Sequence, residues 1–295
     1  MGLFGLGKKK TCDICGAEIG MFGNRKLSDG NMCKDCEAKL SEWFDDDDRK
    51  NSTVEEIKEQ LEYREANKER VARFHATRSI ACVGWTFLFD EDKKQFTVCG
   101  DPRDMEDENP DIIDIKDLTG FQLDIDEDQD EIKREVKRGD DYEYVSYNPP
   151  RYRYEYDFIY TLQVNNPYFS ELNPRLNDDK VEIEPDAMVG SGSYSSAPAQ
   201  NPNSAAGVLG SLVGALTGAV GGNFDPRQTT KYQRYAQIAD ELTKEFNALR
   251  TGVREEAAAA AAGPRIVTCP FCGAATELSG KGYCQYCGGV IADKF

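Results

Sequence analysis

Four Cys-x-x-Cys pairs, two near each end, constrain this chain more than any other feature. Cys12/Cys15 and Cys33/Cys36 are separated by seventeen residues, and Cys269/Cys272 and Cys284/Cys287 by eleven. A Cys-x-x-Cys turn presents two sulfurs to one side of a metal, and zinc takes four thiolates in a tetrahedron. Gly16, Gly273 and Gly288 each follow a pair. Glycine there permits the positive φ of a knuckle whose backbone N–H groups point at the thiolates. Modules this short cannot build a sufficient core, and metal affinity on the order of 10–16 kcal/mol is what folds them. The spacing therefore predicts two structural Zn2+ ions, on Cys12, Cys15, Cys33 and Cys36 and on Cys269, Cys272, Cys284 and Cys287. A closed four-thiolate site has no open coordination position, which argues against Lewis-acid catalysis. A redox dithiol would be a single pair at a helix N-terminus in a βαβ context, which is missing here. Iron–sulfur ligation has no supporting feature.

Charge separates the ends from the middle. The 295-residue chain carries a formal charge of -17. Residues 1–44 have seven Lys/Arg against six Asp/Glu, and residues 263–295 have three against two, leaving the middle strongly acidic. Such a body repels a phosphate polyanion, so nucleic acid is disfavoured as a partner and would have to use the end modules. Paired cysteines without a secretory signal read as metal ligands in a reducing compartment. The opening "MGLFGLGKKK" has no hydrophobic core segment, and Leu6 stands where a myristoylation signal needs Ser or Thr. A cytoplasmic protein is expected.

Periodicity divides the rest. Residues 1–44 read as a treble-clef-like zinc finger: a knuckle, then hairpin signals at Gly23-Asn24 and Asp29-Gly30, then a helix-like run of Cys36, Leu40 and Trp43. Residues 45–77 read as an acidic break and a solvated connector helix, with Ser52 and Glu55 as its capping box and Val54, Ile57 and Leu61 on one face. Residues 78–252 read as a β-domain of about six or seven antiparallel strands, closed by an amphipathic helix with Tyr235, Ile238, Leu242, Phe246 and Leu249 on one face. A glycine-rich insertion occupies 187–227, uncharged from Ala187 to Phe224, with Gly210, Gly214 and Gly218 at four-residue intervals, a glycine-zipper pattern that helices use for close approach in membranes. Its apolar part is too short for a full span, so 205–222 is expected to be a membrane contact, a packing segment or a linker. An Ala-rich linker follows at 253–264 and a zinc ribbon at 265–295.

Other features carry less. Cys82 and Cys99 are expected as buried apolar residues on facing strands. His75, the single histidine, has no nucleophile or carboxylate pair close in sequence. The run at 124–131 offers Asp124, Asp126 and Asp128, but Gln129 stands where a calcium loop needs glycine, and a solvated acidic loop is expected. No phosphate-cradling glycine loop or dinucleotide fingerprint is present, and no enzymatic activity is expected.

"CDICGAEIGMFGNRKLSDGNMCKDCEAKLS" resembles the N-terminal finger of an uncharacterised bacterial family, a domain of unknown function with the pattern Cys-x-x-Cys-Gly…Gly-Asn-x-Lys-Leu-x-Asp-Gly…Cys-x-x-Cys ahead of a β-rich body. "FHATRSI" and "NNPYF" resemble that body. The resemblance implies zinc at Cys12, Cys15, Cys33 and Cys36 and supplies no activity. "CPFCG…CQYCGG" is similar to zinc ribbons appended to many bacterial proteins. The element order of 78–252 resembles a pleckstrin-homology-like domain, a fold-level analogy that implies a protein, peptide or lipid-headgroup ligand. The expectation is an α+β multi-module chain: a PH-like antiparallel β-barrel or sandwich with a C-terminal helix, flanked by two zinc modules. It would act as an adaptor for a protein or peptide partner, with membrane association through 205–222 as the alternative.

Overall fold

The computed structural model describes residues 10–185, 224–262, 266–277 and 283–291. The glycine-zipper segment 205–222 lies outside them. The chain divides into two compact units, 1–245 and 246–295. The first begins with β1 (Lys10–Thr11) paired to β2 (Glu18–Ile19) around the first cysteine pair, and β3 (Asn24–Lys26) paired to β4 (Asn31–Cys33). The Asp29-Gly30 turn closes as its signal predicts, with Leu27 N–H donating to Gly30 O at 2.9 Å. A Cβ on Gly30 would lie 2.5 Å from Val54 Cγ2, so only glycine fits there.

Helix α1 (Lys34–Glu37) stops sooner than the Cys36–Leu40–Trp43 spacing suggests, and tight turns bury Leu40 instead. The acidic break is itself helical. Asp45 caps α2 (Asp46–Asn51) by accepting from the N–H groups of Asp47 and Asp48, and the aspartates of the first turn suit the positive end of the helix dipole. Helix α3 (Val54–Arg73) is capped by Thr53 with Glu56, one residue beyond the predicted box, because Ser52 is occupied ending α2.

The solvated-connector reading of α3 is corrected. Ile57, Gln60, Arg64, Asn67 and Val71 are buried, at alternating steps of three and four residues. The stripe thins in hydrophobicity after Leu61 only because its next members are polar. Asn67 Nδ2 donates to Asn109 Oδ1 (2.9 Å) and Pro110 O (2.8 Å), and its Oδ1 accepts from Ile112 N–H (3.2 Å). Partners brought from more than forty residues away make burial of Asn67 tolerable.

Two antiparallel sheets form the body. In the first, β5 (Arg78–Ala81), β6 (Thr86–Asp90), β7 (Gln95–Cys99) and β8 (Ile113–Asp114) lie in sequence order. All five residues of β6 are buried, which explains its apolar run of Phe87, Leu88 and Phe89. Helix α4 (Met105–Glu108) sits in the β7–β8 connection. In the second sheet, β9 (Leu118–Arg138) and β10 (Asp141–Val164) make one long hairpin, turned at Gly139 with φ +68. Phe121, Leu123 and Ile125 oppose Leu162, Tyr160 and Phe158 on the core face. Asp124, Asp126 and Asp128 therefore fall on the other face, and the expected acidic loop is a strand. Thr161 Oγ1 donates to Asp124 (2.8 Å) and Lys180 Nζ pairs with Asp128 (2.7 Å).

Four residues, Tyr147 to Pro150, bulge from β10 between the Ser146–Lys133 and Arg151–Ile132 pairs. Pro149 and Pro150 have no N–H to give a ladder, so pairing lapses where the sequence puts them. β11 (Glu171–Leu172) and β12 (Val181–Ile183) return along the other edge of β10. Between them Asn177 replaces the ladder, accepting from Phe158 N–H (2.7 Å) and donating to Asp157 Oδ1 (2.9 Å).

The sheets meet through Phe87, edge-on to Tyr160 at 6.0 Å. Helix α5 (Thr230–Ala262) carries the predicted amphipathic face and continues through the stretch expected as an Ala-rich linker, since alanine is the strongest helix former. Its first turns lie on the second sheet, with Tyr232 edge-on to Tyr156 and Phe158, both at 5.0 Å. The expected barrel is not closed: the described strands of the body form two open four-stranded sheets. Among the described residues no helix is long and apolar enough to cross a membrane. In the second unit β13 (Ile266–Thr268) pairs with β14 (Ala275–Glu277).

Candidate metal centres

The local fold brings each cysteine set together. Three of the four pairs are built alike. The first cysteine's N–H donates to the carbonyl five residues on (Ala17, Ala274, Gly289), and the glycine's N–H returns to that cysteine's carbonyl, all at 2.8–2.9 Å. Gly16, Gly273 and Gly288 hold φ of +77, +74 and +69, as the Cys-x-x-Cys-Gly repeat predicts. The Cys33–Cys36 pair lacks the glycine and differs: Cys33 ends β4 and Cys36 lies in α1. One module thus combines knuckle, hairpin and helix, whereas the other combines two knuckles.

The sulfurs have metal-ligand separations. Cys12 Sγ–Cys36 Sγ is 3.9 Å, Cys15 Sγ–Cys33 Sγ 3.7 Å, Cys269 Sγ–Cys287 Sγ 3.6 Å and Cys272 Sγ–Cys284 Sγ 3.7 Å. Within each set all four lie within 4.8 Å of one another. A disulfide would bring a pair to about 2.05 Å. Zn–S bonds of about 2.3 Å place tetrahedral sulfurs about 3.8 Å apart, and the observed spacings match that edge. The donor set therefore fits a thiophilic divalent ion.

Backbone dipoles prepare one thiol in each set. Burial opposes ionisation of Cys12, but N–H groups of Cys15, Cys33 and Ile14 outweigh it and bring the thiol down to about 6. At Cys284 burial again opposes, and the N–H groups of Cys287 and Tyr286 bring it down to about 6. These thiolates are available to metal at neutral pH. Burial and neighbouring sulfurs raise Cys36, the direction expected when several thiols share a site.

The remaining marked residues do not join these centres. Cys99 ends β7 and pairs with Thr86, while Cys82 sits in the turn before β6 instead of on a facing strand. Burial pushes Cys82 up to about 11 and Cys99 up to about 12, which makes both poor nucleophiles. His75 lies just past α3, exposed, its N–H donating to Asp90 Oδ2 at 3.0 Å. Sequence reasoning missed a meeting of Trp43 and Trp85, whose ring centroids lie 5.2 Å apart. The one available signal was that they are the chain's two tryptophans.

The geometry defines the class first: a mixed α/β chain carrying a four-cysteine cluster towards each end, each shaped to hold a metal ion. Residues 11–60 match the family described as Domain of unknown function (DUF4428). The match runs past the cysteines into α3, where Ile57 completes the module's core with Ile19, Leu27 and Met32. No curated protein and no solved structure matches the chain.

Proposed function

We propose that this protein is a non-enzymatic, zinc-binding adaptor, with zinc on Cys12, Cys15, Cys33 and Cys36 and on Cys269, Cys272, Cys284 and Cys287. The observation that carries this reading is the pair of four-thiol clusters with tetrahedral sulfur spacings. Four thiolates fill a tetrahedral ion, so each metal would hold shape and leave substrate no position. The first module is read as a treble clef and the second as a ribbon.

The body's task in this reading is to dock a protein or peptide. Support comes from a four-stranded meander, a second sheet built on a long hairpin and then a helix, the element order of a pleckstrin-homology-like domain. The ribbon adds contact surface: Phe271 is 70% and Tyr286 72% exposed, one in each knuckle. Apolar groups so displayed on a small module favour a partner. Metal analysis of the purified full chain tests the core of the proposal. Two zinc per chain are expected, and a content well below two overturns it. Affinity capture from the native host, compared with capture by a chain lacking 265–295, tests the docking role. An identical partner set from both would remove the ribbon from it.

A further inference from the structure

A cleft of about 500 Å3 opens between the end of the N-terminal module and the first sheet of the body. Its lining includes Glu42, Trp43, Arg64, Trp85, Glu108 and Asp111, drawn from four separate parts of the chain. Its volume falls in the range of small-molecule sites. We propose that this cleft is a binding site for an organic ammonium ion, held against the outer surface of the indole pair by the carboxylates of Glu42 and Glu108. The site does not depend on the docking role above.

Charge within the cleft is one-sided. Arg64, its one lining cation, is already engaged: Nη1 lies 3.0 Å from Asp111 Oδ1 and Nε donates to Lys39 O at 3.3 Å. Ser41 Oγ donates to the other oxygen of Asp111 at 2.7 Å. Among the described residues neither Glu42 nor Glu108 has an ion pair, and Glu108 accepts a long 3.3 Å bond from Gly100 N–H. The cleft walls desolvate Glu42 and the carboxylates of Glu108 and Asp111 add repulsion, and together they raise it above the usual carboxylate range against the smaller opposing pull of Arg64. A cation between these groups would relieve that repulsion.

The aromatic pair selects the kind of cation. Trp43 and Trp85 are half-buried, with centroids 5.2 Å apart and planes tilted by 34°, so they pack on each other and together form one aromatic wall of the cleft. Indole faces attract cations more strongly than the other aromatic rings do, and alkylammonium groups can use both the π face and the apolar contact. A bare metal ion would want additional oxygen ligands in place of those rings. The shared chemistry is an alkylated or protonated amine, from a free molecule or from a lysine side chain.

Because Trp43 and Trp85 are the only two tryptophans, indole fluorescence reports on this cleft alone. The zinc-loaded full chain is titrated with choline, with a glycine-flanked trimethyl-lysine peptide and with sodium chloride at matched ionic strength. Choline or the peptide is expected to give a saturable change that sodium does not, and the tighter of the two identifies the source. E42Q and E108Q, both on exposed side chains, are each expected to weaken binding by about tenfold while leaving the melting temperature within about 2 °C of wild type. W85L is expected to abolish binding, with circular dichroism showing whether the sheet is retained. Equal responses to choline, peptide and sodium would overturn the proposal. So would saturable binding that both glutamine variants leave unchanged.

Discussion

The two four-cysteine modules share a donor set and differ in what surrounds it. Cys12, Cys33 and Cys36 lie in a core with Ile19, Leu27, Met32 and Ile57, supplied by strands and by α3. In the C-terminal module the buried residues among those described are Cys269, Thr276 and Cys284, while Ile266, Phe271, Tyr283, Tyr286 and Val290 are exposed. With a metal bound, the first module would divide its stability between that ion and apolar burial. Among its described residues the second would have little besides a bound metal, which follows from its size and from a sequence that leaves its large side chains exposed.

Metal removal is the harshest test of that contrast. A strong chelator, or C284S, should erase the amide dispersion of residues 266–291 outright, because binding worth on the order of 10–16 kcal/mol is their folding energy. The helicity of α3 should largely persist under the same chelator. Equal collapse of both modules in hydrogen exchange would break the comparison.

Next in size is D111A, which strands Arg64 beneath the cleft. Loss of one partner of a buried pair costs about 3–5 kcal/mol, to be read from the urea midpoint of the first unit, and the amide spectrum of the C-terminal module should not change. I57A removes the side chain that joins α3 to the first module's core and should cost about 2–5 kcal/mol. Its zinc content should remain near two per chain if the metal and the core are separable supports. The smallest effect distinguishes the modules most finely. G16A and G273A force alanine into the same left-handed backbone, a strain of about 1–2 kcal/mol at either position. Zinc competition should show a larger relative loss of affinity for G273A, since no neighbouring core shares the strain.

The metal centres were legible because their information is local. Cysteine spacing and a following glycine specify a knuckle within six residues, and three such knuckles form with the same hydrogen bonds. Strand alternation was legible in Phe121, Leu123 and Ile125, but the alternating aspartates beside them read as a loop because nothing nearby names Lys180 and Thr161 as their partners. The capping box slipped by one residue because the hydroxyls of Ser52 and Thr53 are equivalent acceptors for a helix N-terminus until α2 claims Ser52. The cleft was invisible, since Trp43, Arg64, Trp85 and Asp111 share no motif.

By itself, then, the sequence determined the elements whose physics is short-ranged: thiol pairs, glycine knuckles, the face of each strand and the amphipathic α5. Tertiary structure decided which polar groups could be buried. Gln60, Arg64 and Asn67 continue the buried stripe of α3, and residues 109–112 supply the contacts to Arg64 and Asn67. Hydrophobic burial can be anticipated from a residue's own chemistry. Polar burial depends on a partner, and for Arg64 and Asn67 residues 109–112, more than forty positions away, supply one.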